Sequence, residues 1–284
     1  MPLSEQNRII GPHGNLKSVL KDWLLCEDLE PTDKQVIRHL DESIAHREAL
    51  IKQCARWVVM SHVGSKNWRK LKKIRPKLTP DEFTKYLQDR HYLPYSDLTR
   101  KGNLGEILLC EYIHEITNYV QHVAKLRYNP NVEQSMKGDD VLLFNPSNVH
   151  SDVIYGESKI RKVPDKDVVP EIVNNLQGDK KFPTSINFVI QILRDRGQDE
   201  LADELDELLC EIANKKVPIR HVGWLISSKG TTMSSDVLQR TRNTLEIEPD
   251  ANLVFVAVGI DNVQQFVDDV YGVANTILMT GKMQ

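Results

Sequence analysis

The residues best able to do chemistry together lie in one string, KGDDVLLFNPSNVHSDVIYGESKI, from Lys137 to Ile160. Two short apolar runs flank Asn145, Pro146, Ser147 and Asn148, whose types favour turns, so the string reads as an antiparallel hairpin. With the turn centred between Asn148 and Val149, Asp140 faces Glu157. Alternate side chains of a strand share a face, so Glu157 and Lys159 project together while Gly156 and Ser158 point the other way. Carboxylates held close at neutral pH repel each other unless a cation lies between them. Magnesium suits such a place because it takes oxygen ligands and keeps waters for chemistry, and manganese can substitute. A lysine beside that ion could help deprotonate or orient an attacking water, or balance charge on a scissile phosphate. The chemistry this set of groups serves is phosphodiester hydrolysis.

A helix from about Thr99 to Thr117 brings a further acid. Glu106 shares a helical face with Leu109, Cys110 and Ile113, a stripe that favours burial, and Gly102 and Gly105 would let that helix approach a sheet closely. The expected site has Glu106, Asp140 and Glu157 as metal ligands and Lys159 beside the attacking water.

Around this site the chain reads as α/β. Tyr119 to Tyr128, Asp140 to Phe144 and Asp152 to Ile160 are expected strands. Helices are expected over Val168 to Leu176 and Ser185 to Ala213, the second interrupted at Gly197. His221 to Ser227 and Asn252 to Val258 read as strands, each followed by a helical pattern, the last from Val263 to Met279. Residues 1–96 are expected to form a helical N-terminal region, and residues 97–284 a domain carrying the site. In the N-terminal region Thr32 and Gln35 have capping-box spacing before Val36, Ile37, Leu40, Ile44 and Ile51, which predicts one long helix ending near His62 to Gly64. Thr79, Pro80 and Glu82 predict a second helix running to about Arg90, and a boundary between the two regions is expected at Pro94 to Asp97.

An acid on the first helix, an aspartate after glycine at the start of the second strand, and Glu-x-Lys on the third resemble the PD-(D/E)xK nuclease superfamily. Its core order is αβββαβ, which implies a mixed sheet flanked by helices. More narrowly, GNLGE, KGDD and GESK resemble the HamA nucleases of Hachiman anti-phage systems over roughly residues 98 to 260. The resemblance implies DNA degradation, divalent-metal dependence and a heteromeric complex with a helicase, HamB, that restrains the nuclease. Asp139 and Asp140 would face opposite ways on a strand, so only one is expected to hold metal, and the G-x-D spacing favours Asp140. The helix after the third strand often supplies another polar residue in this superfamily, for which Asn175, Gln177 and Lys180 are the candidates.

A net charge of −3 gives no bulk attraction to phosphate, so nucleic-acid contact must be local. KNWRKLKKIRPK, from Lys66 to Lys77, is the place where it could occur, and Arg69, Lys70, Lys72 and Lys73 are candidate contacts to nucleic acid or a partner. The acidic run from Asp199 to Glu211 reads as an amphipathic surface helix, with Leu201, Leu205, Leu208, Leu209 and Ile212 on one face. Glu111 and His114 have the spacing of some di-iron ligands, but no second such pair exists, and SSKGTT at Ser227 lacks the spaced glycine of a phosphate loop. Four scattered cysteines suggest neither a zinc site nor a disulfide framework, and no apolar stretch approaches membrane-spanning length, so a soluble cytoplasmic protein is expected. The alternative function is a catalytically silent module of the same fold that binds nucleic acid or a helicase.

Overall fold

The computed structural model describes residues 4–31, 36–134, 138–177, 182–231 and 252–283. The strands are β1 (Leu24–Asp28), β2 (Ile37–Glu42), β3 (Val141–Phe144), β4 (Val153–Ile160), β5 (Ile219–Ser228) and β6 (Asn252–Ile260). They form one mixed sheet in the order β1-β2-β6-β5-β4-β3. The central neighbours β2, β6, β5 and β4 are mutually parallel, and each edge strand joins by an antiparallel pairing. Parallel strands need crossovers, and the helices that make them cover both faces. This is why β6 reads as a nearly unbroken apolar run, and β5 as a shorter one from Val222 to Ile226.

On one face lie α1 (Glu5–Ile10), α2 (Val19–Trp23), α3 (Arg47–His62), α4 (Gly64–Ile74), α5 (Pro80–Arg90), α6 (Asp97–Thr117) and α10 (Val263–Thr280). Leu20, Val58, Leu108 and Phe266 are buried there with Trp224 and Val256 of the sheet. On the other face α7 (Val168–Gln177), α8 (Phe182–Asp195) and α9 (Asp199–Ala213) bury Ile172, Ile190 and Leu205 with Tyr155, Leu225 and Phe255. None of the described helices is long and apolar enough to cross a membrane.

The helix at α5 starts as its sequence predicts. The Thr79 side chain accepts from the Glu82 amide, and Glu82 returns a carboxylate to the Thr79 amide. The break at Gly197 also occurs, at a φ of +69° that glycine adopts without strain, and it separates α8 from α9. On α9 Leu205, Leu208 and Ile212 are buried, and Leu201 and Leu209 are partly buried beside them.

Three expectations are corrected. The long helix through Ile37, Leu40 and Ile44 is not formed: Ile37–Glu42 is strand β2, and the helix begins only at Arg47. Thr32 to Gln35, the expected cap, lie outside the described residues. The N-terminal region therefore gives two strands to the sheet and is not purely helical. Tyr119 to Tyr128 is not a strand either, because Val120 makes one isolated bridge with Phe144 and Lys125–Tyr128 is a 3₁₀ turn. The site side of the sheet thus has two strands after α6 where three were expected. Finally, Gly102 faces open space, so Gly105 alone of that pair permits the close helix–sheet approach. The helical pattern expected after β5 falls on residues outside the described ones.

Candidate functional site

The hairpin has the register its sequence predicts. Val141 lies opposite Gly156 and Phe144 opposite Val153, which carries Asp140 to a place one residue before β3 and across from Glu157. The pairing is reinforced by the Ser158 amide, which donates to Asp140 Oδ2 at 2.8 Å and so aims that carboxylate. Asp139 is buried beside it. Its amide donates to Ser185 Oγ at 2.9 Å, and its charge pushes the Tyr155 hydroxyl up in addition to the larger effect of burial.

Gly156 and Ser158 point to α6, as strand alternation requires. A methyl on Gly156 would lie 2.6 Å from Leu109, and one on Gly105 would meet Ser158 Oγ. These close approaches draw α6 onto β4 and bring Glu106, 7% exposed, to the edge of the hairpin. Burial pushes the Glu106 carboxyl up to about 8; Lys125 opposes the shift, and the charges of Asp140 and Glu157 add to it.

Lys125 is a member of this cluster that the motif reading did not include. Its Nζ donates to the Asp139 carbonyl at 2.7 Å and lies 3.5 Å from Glu106 Oε2 and 3.8 Å from Asp140 Oδ1. Burial disfavours that ammonium, yet Glu106 and Asp140 outweigh burial and hold its pKa above the ordinary lysine value.

Glu157 is 4% exposed and is held from both sides. Lys159 Nζ donates to its Oε1 at 2.9 Å, and Asn175 Nδ2 of α7 donates to the same oxygen at 2.6 Å. Burial raises the Glu157 carboxyl, Asp140 adds to the rise, and Lys159 and Asn175 oppose it. Lys159 also lies 3.2 Å from Glu171, which in turn pairs with Arg161. Burial lowers the Lys159 pKa, but the hydrogen bond and charge of Glu157 outweigh it, so Lys159 stays a cation. Of the three polar candidates on the helix after β4, Asn175 reaches the site. The side chain of Gln177 and all of Lys180 lie outside the described residues.

The structure therefore brings Glu106, Asp140, Glu157 and Lys159 together, with Lys125 and Asn175 among them. The oxygen donors suit a hard divalent cation. As the side chains lie, no three acidic, histidine or cysteine side chains among the described residues are grouped to hold an ion; the Lys125 ammonium stands between Glu106 and Asp140. The chain itself thus supplies a positive charge between those two acids.

The basic stretch lies elsewhere. Lys66, Arg69, Lys70, Lys72 and Lys73 are exposed on α4, while Trp68 and Leu71 are buried beneath them. Among the described residues no carboxylate pairs with Arg69, Lys70, Lys72 or Lys73. The helix starts at Gly64, against the side chain of Arg127 in the 3₁₀ turn that also carries Lys125. The structure does not bring these basic residues into the acidic cluster.

Fold and cluster together define an α/β protein with a buried acidic site at one edge of a mixed sheet. The family model described as HamA matches residues 17–274. The Hachiman protein HamA of Bacillus cereus is 33% identical over 279 residues, covering 98% of each chain. This chain belongs to the HamA family.

Proposed function

We propose that this protein is a metal-dependent deoxyribonuclease of the PD-(D/E)xK type, the effector of an anti-phage defence system, held in check by a helicase partner of the HamB kind. The observation that carries the reading is the convergence of Asp140, Glu157 and Lys159 on one hairpin, with Glu106 brought to it by α6. Membership of the HamA family supports the defence role and the helicase partner.

In this reading Glu106, Asp140 and Glu157 hold magnesium or manganese, which when bound would supply an acidified water and a counter-charge for the scissile phosphate. Ser158 fixes the Asp140 carboxylate through its amide, and Asn175 fixes Glu157. Partners of this kind orient metal-binding carboxylates, and losing one typically costs about 10- to 100-fold in affinity or rate. Lys159, kept as an ammonium by Glu157 and Glu171, donates to the attacking water or to a phosphoryl oxygen as charge develops there.

The test is incubation of the purified protein with linear and supercoiled DNA, alone and with its helicase and ATP, in magnesium and then in chelator. Cleavage that needs the metal and disappears in Glu157→Ala, with the circular dichroism spectrum retained, is the expected result. No cleavage under any of these conditions would leave the fold as a binding module.

A further inference from the structure

We propose that Lys125 is the tethered cation of the acidic site, occupying the space between Glu106 and Asp140, so that a divalent ion enters only when this ammonium moves out. The inference rests on the reading of the site as a metal centre.

Three observations carry it. The Lys125 Nζ lies within 3.8 Å of carboxylate oxygens of both Glu106 on α6 and Asp140 just before β3, two acids far apart in the chain. The side chain is only 12% exposed, so it is not a surface lysine resting on a nearby acid. Its third partner, the Asp139 carbonyl, is a main-chain oxygen that fixes the ammonium beside the carboxylate of the next residue. Two cations cannot share so small a space in a poorly solvated site, because like charges about 4 Å apart repel strongly where few waters screen them. The ammonium and the metal therefore compete for the same oxygens. Lys159 stands differently, since its contacts are Glu157 and Glu171 and it can stay while an ion is held between Glu106 and Asp140.

The competition can be read without any turnover. Magnesium and manganese binding to the full-length protein is measured by calorimetry for wild type, Lys125→Met and Glu157→Ala, together with the melting temperature in metal and in chelator. Lys125→Met should bind the ion at least about tenfold more tightly than wild type. It should melt lower than wild type in chelator, where Glu106 and Asp140 have lost their counter-charge, and regain the difference in metal. Unchanged or weaker binding in Lys125→Met, with binding still abolished in Glu157→Ala, overturns the inference and leaves the metal site standing. No binding by either wild type or Lys125→Met overturns both.

A second measurement needs no substitution. Acetylation of Lys125 in the wild-type protein by a small anhydride, mapped by peptide mass spectrometry, should speed up in saturating magnesium as the amine is released to solvent. An unchanged or slower rate means that the ammonium stays in place, and the inference fails.

Discussion

Lys159 is held from two sides, 2.9 Å from Glu157 and 3.2 Å from Glu171, and both contacts favour its charged form. A group in that state donates protons or hydrogen bonds and does not ligate a metal. Lys159→Met should accordingly leave magnesium affinity within about threefold of wild type while lowering DNA cleavage by about a hundredfold or more, the scale of losing one charge-stabilising donor. Calorimetry and single-turnover cleavage on the same preparations check the two halves. A fall in affinity that matches the fall in rate would give Lys159 a different role. The residues of this site differ in how plainly the sequence announces them. Asp140, Glu157 and Lys159 are set by a hairpin whose turn residues and alternation fix the register, and Glu106 by an acid on an apolar helical stripe. Lys125 has no such signature. It lies in a stretch read as a strand, and only the folding of a 3₁₀ turn against α6 brings its ammonium to the acids.

Between elements the decisive contact is the seating of α6 on β4, where Gly105 and Gly156 leave no room for even a methyl group. Gly156→Ala would place that methyl 2.6 Å from Leu109 and 3.2 Å from Val141 in a filled core. The expected cost is about 1–3 kcal/mol of stability, measured by urea unfolding, with lower cleavage because Glu157 is the next residue. Combining it with Leu109→Ala should cost less than the sum of the two single changes, since the smaller side chain removes the clash. Full additivity would mean that the helix does not bear on this strand. The same scale explains what the sequence hid. In β2 the residues Ile37, Arg38, His39 and Leu40 are all buried, so alternation is lost and the apolar positions fit a helix as well. Arg38 can be buried there because Asp28 of the edge strand β1 takes its guanidinium at 2.7 Å, a pairing that no local pattern foretells. Tyr119 to Tyr128 misled in the opposite direction, with strand-like residues that make a single bridge.

Across the whole molecule, charge is segregated and burial sets the response to pH. His62 closes α3 at 7% exposure, and burial lowers its pKa from the ordinary 6.5 to about 4. Its folded value lies below the unfolded one, so the unfolded chain takes up the proton first as the pH falls. The stability this histidine provides is complete above pH 6.5 and is lost between there and pH 4, by up to about 1.4 kcal/mol per pH unit. His62→Gln, which can still pair with Asn103, should flatten the fall in urea midpoint over that range, and an unchanged slope would remove His62 as a cause. The exposed cations of α4 bear instead on the proposed contact with DNA or a helicase. Reversing Arg69, Lys70, Lys72 and Lys73 to glutamate should weaken DNA binding or association with the helicase, most strongly at low salt where screening is least. Co-purification and salt-dependent DNA binding, each compared with wild type, decide it. If neither changes, the helix is only a solvated face.

The place of β6 in the sheet has a consequence for the chain during its synthesis. β6 lies between β2 and β5, so residues made more than two hundred positions earlier have no parallel neighbour until Asn252–Ile260 leave the ribosome. Pairings so distant in sequence form late, and a growing chain is left with open strand edges in the meantime. The hairpin that carries Asp140, Glu157 and Lys159 is translated well before the strand that completes the sheet supporting it. A nascent or prematurely ended copy would therefore hold the acids of the site without the framework that fixes them. In a cell whose own chromosome is within reach, the proposed nuclease activity would then depend on finished translation.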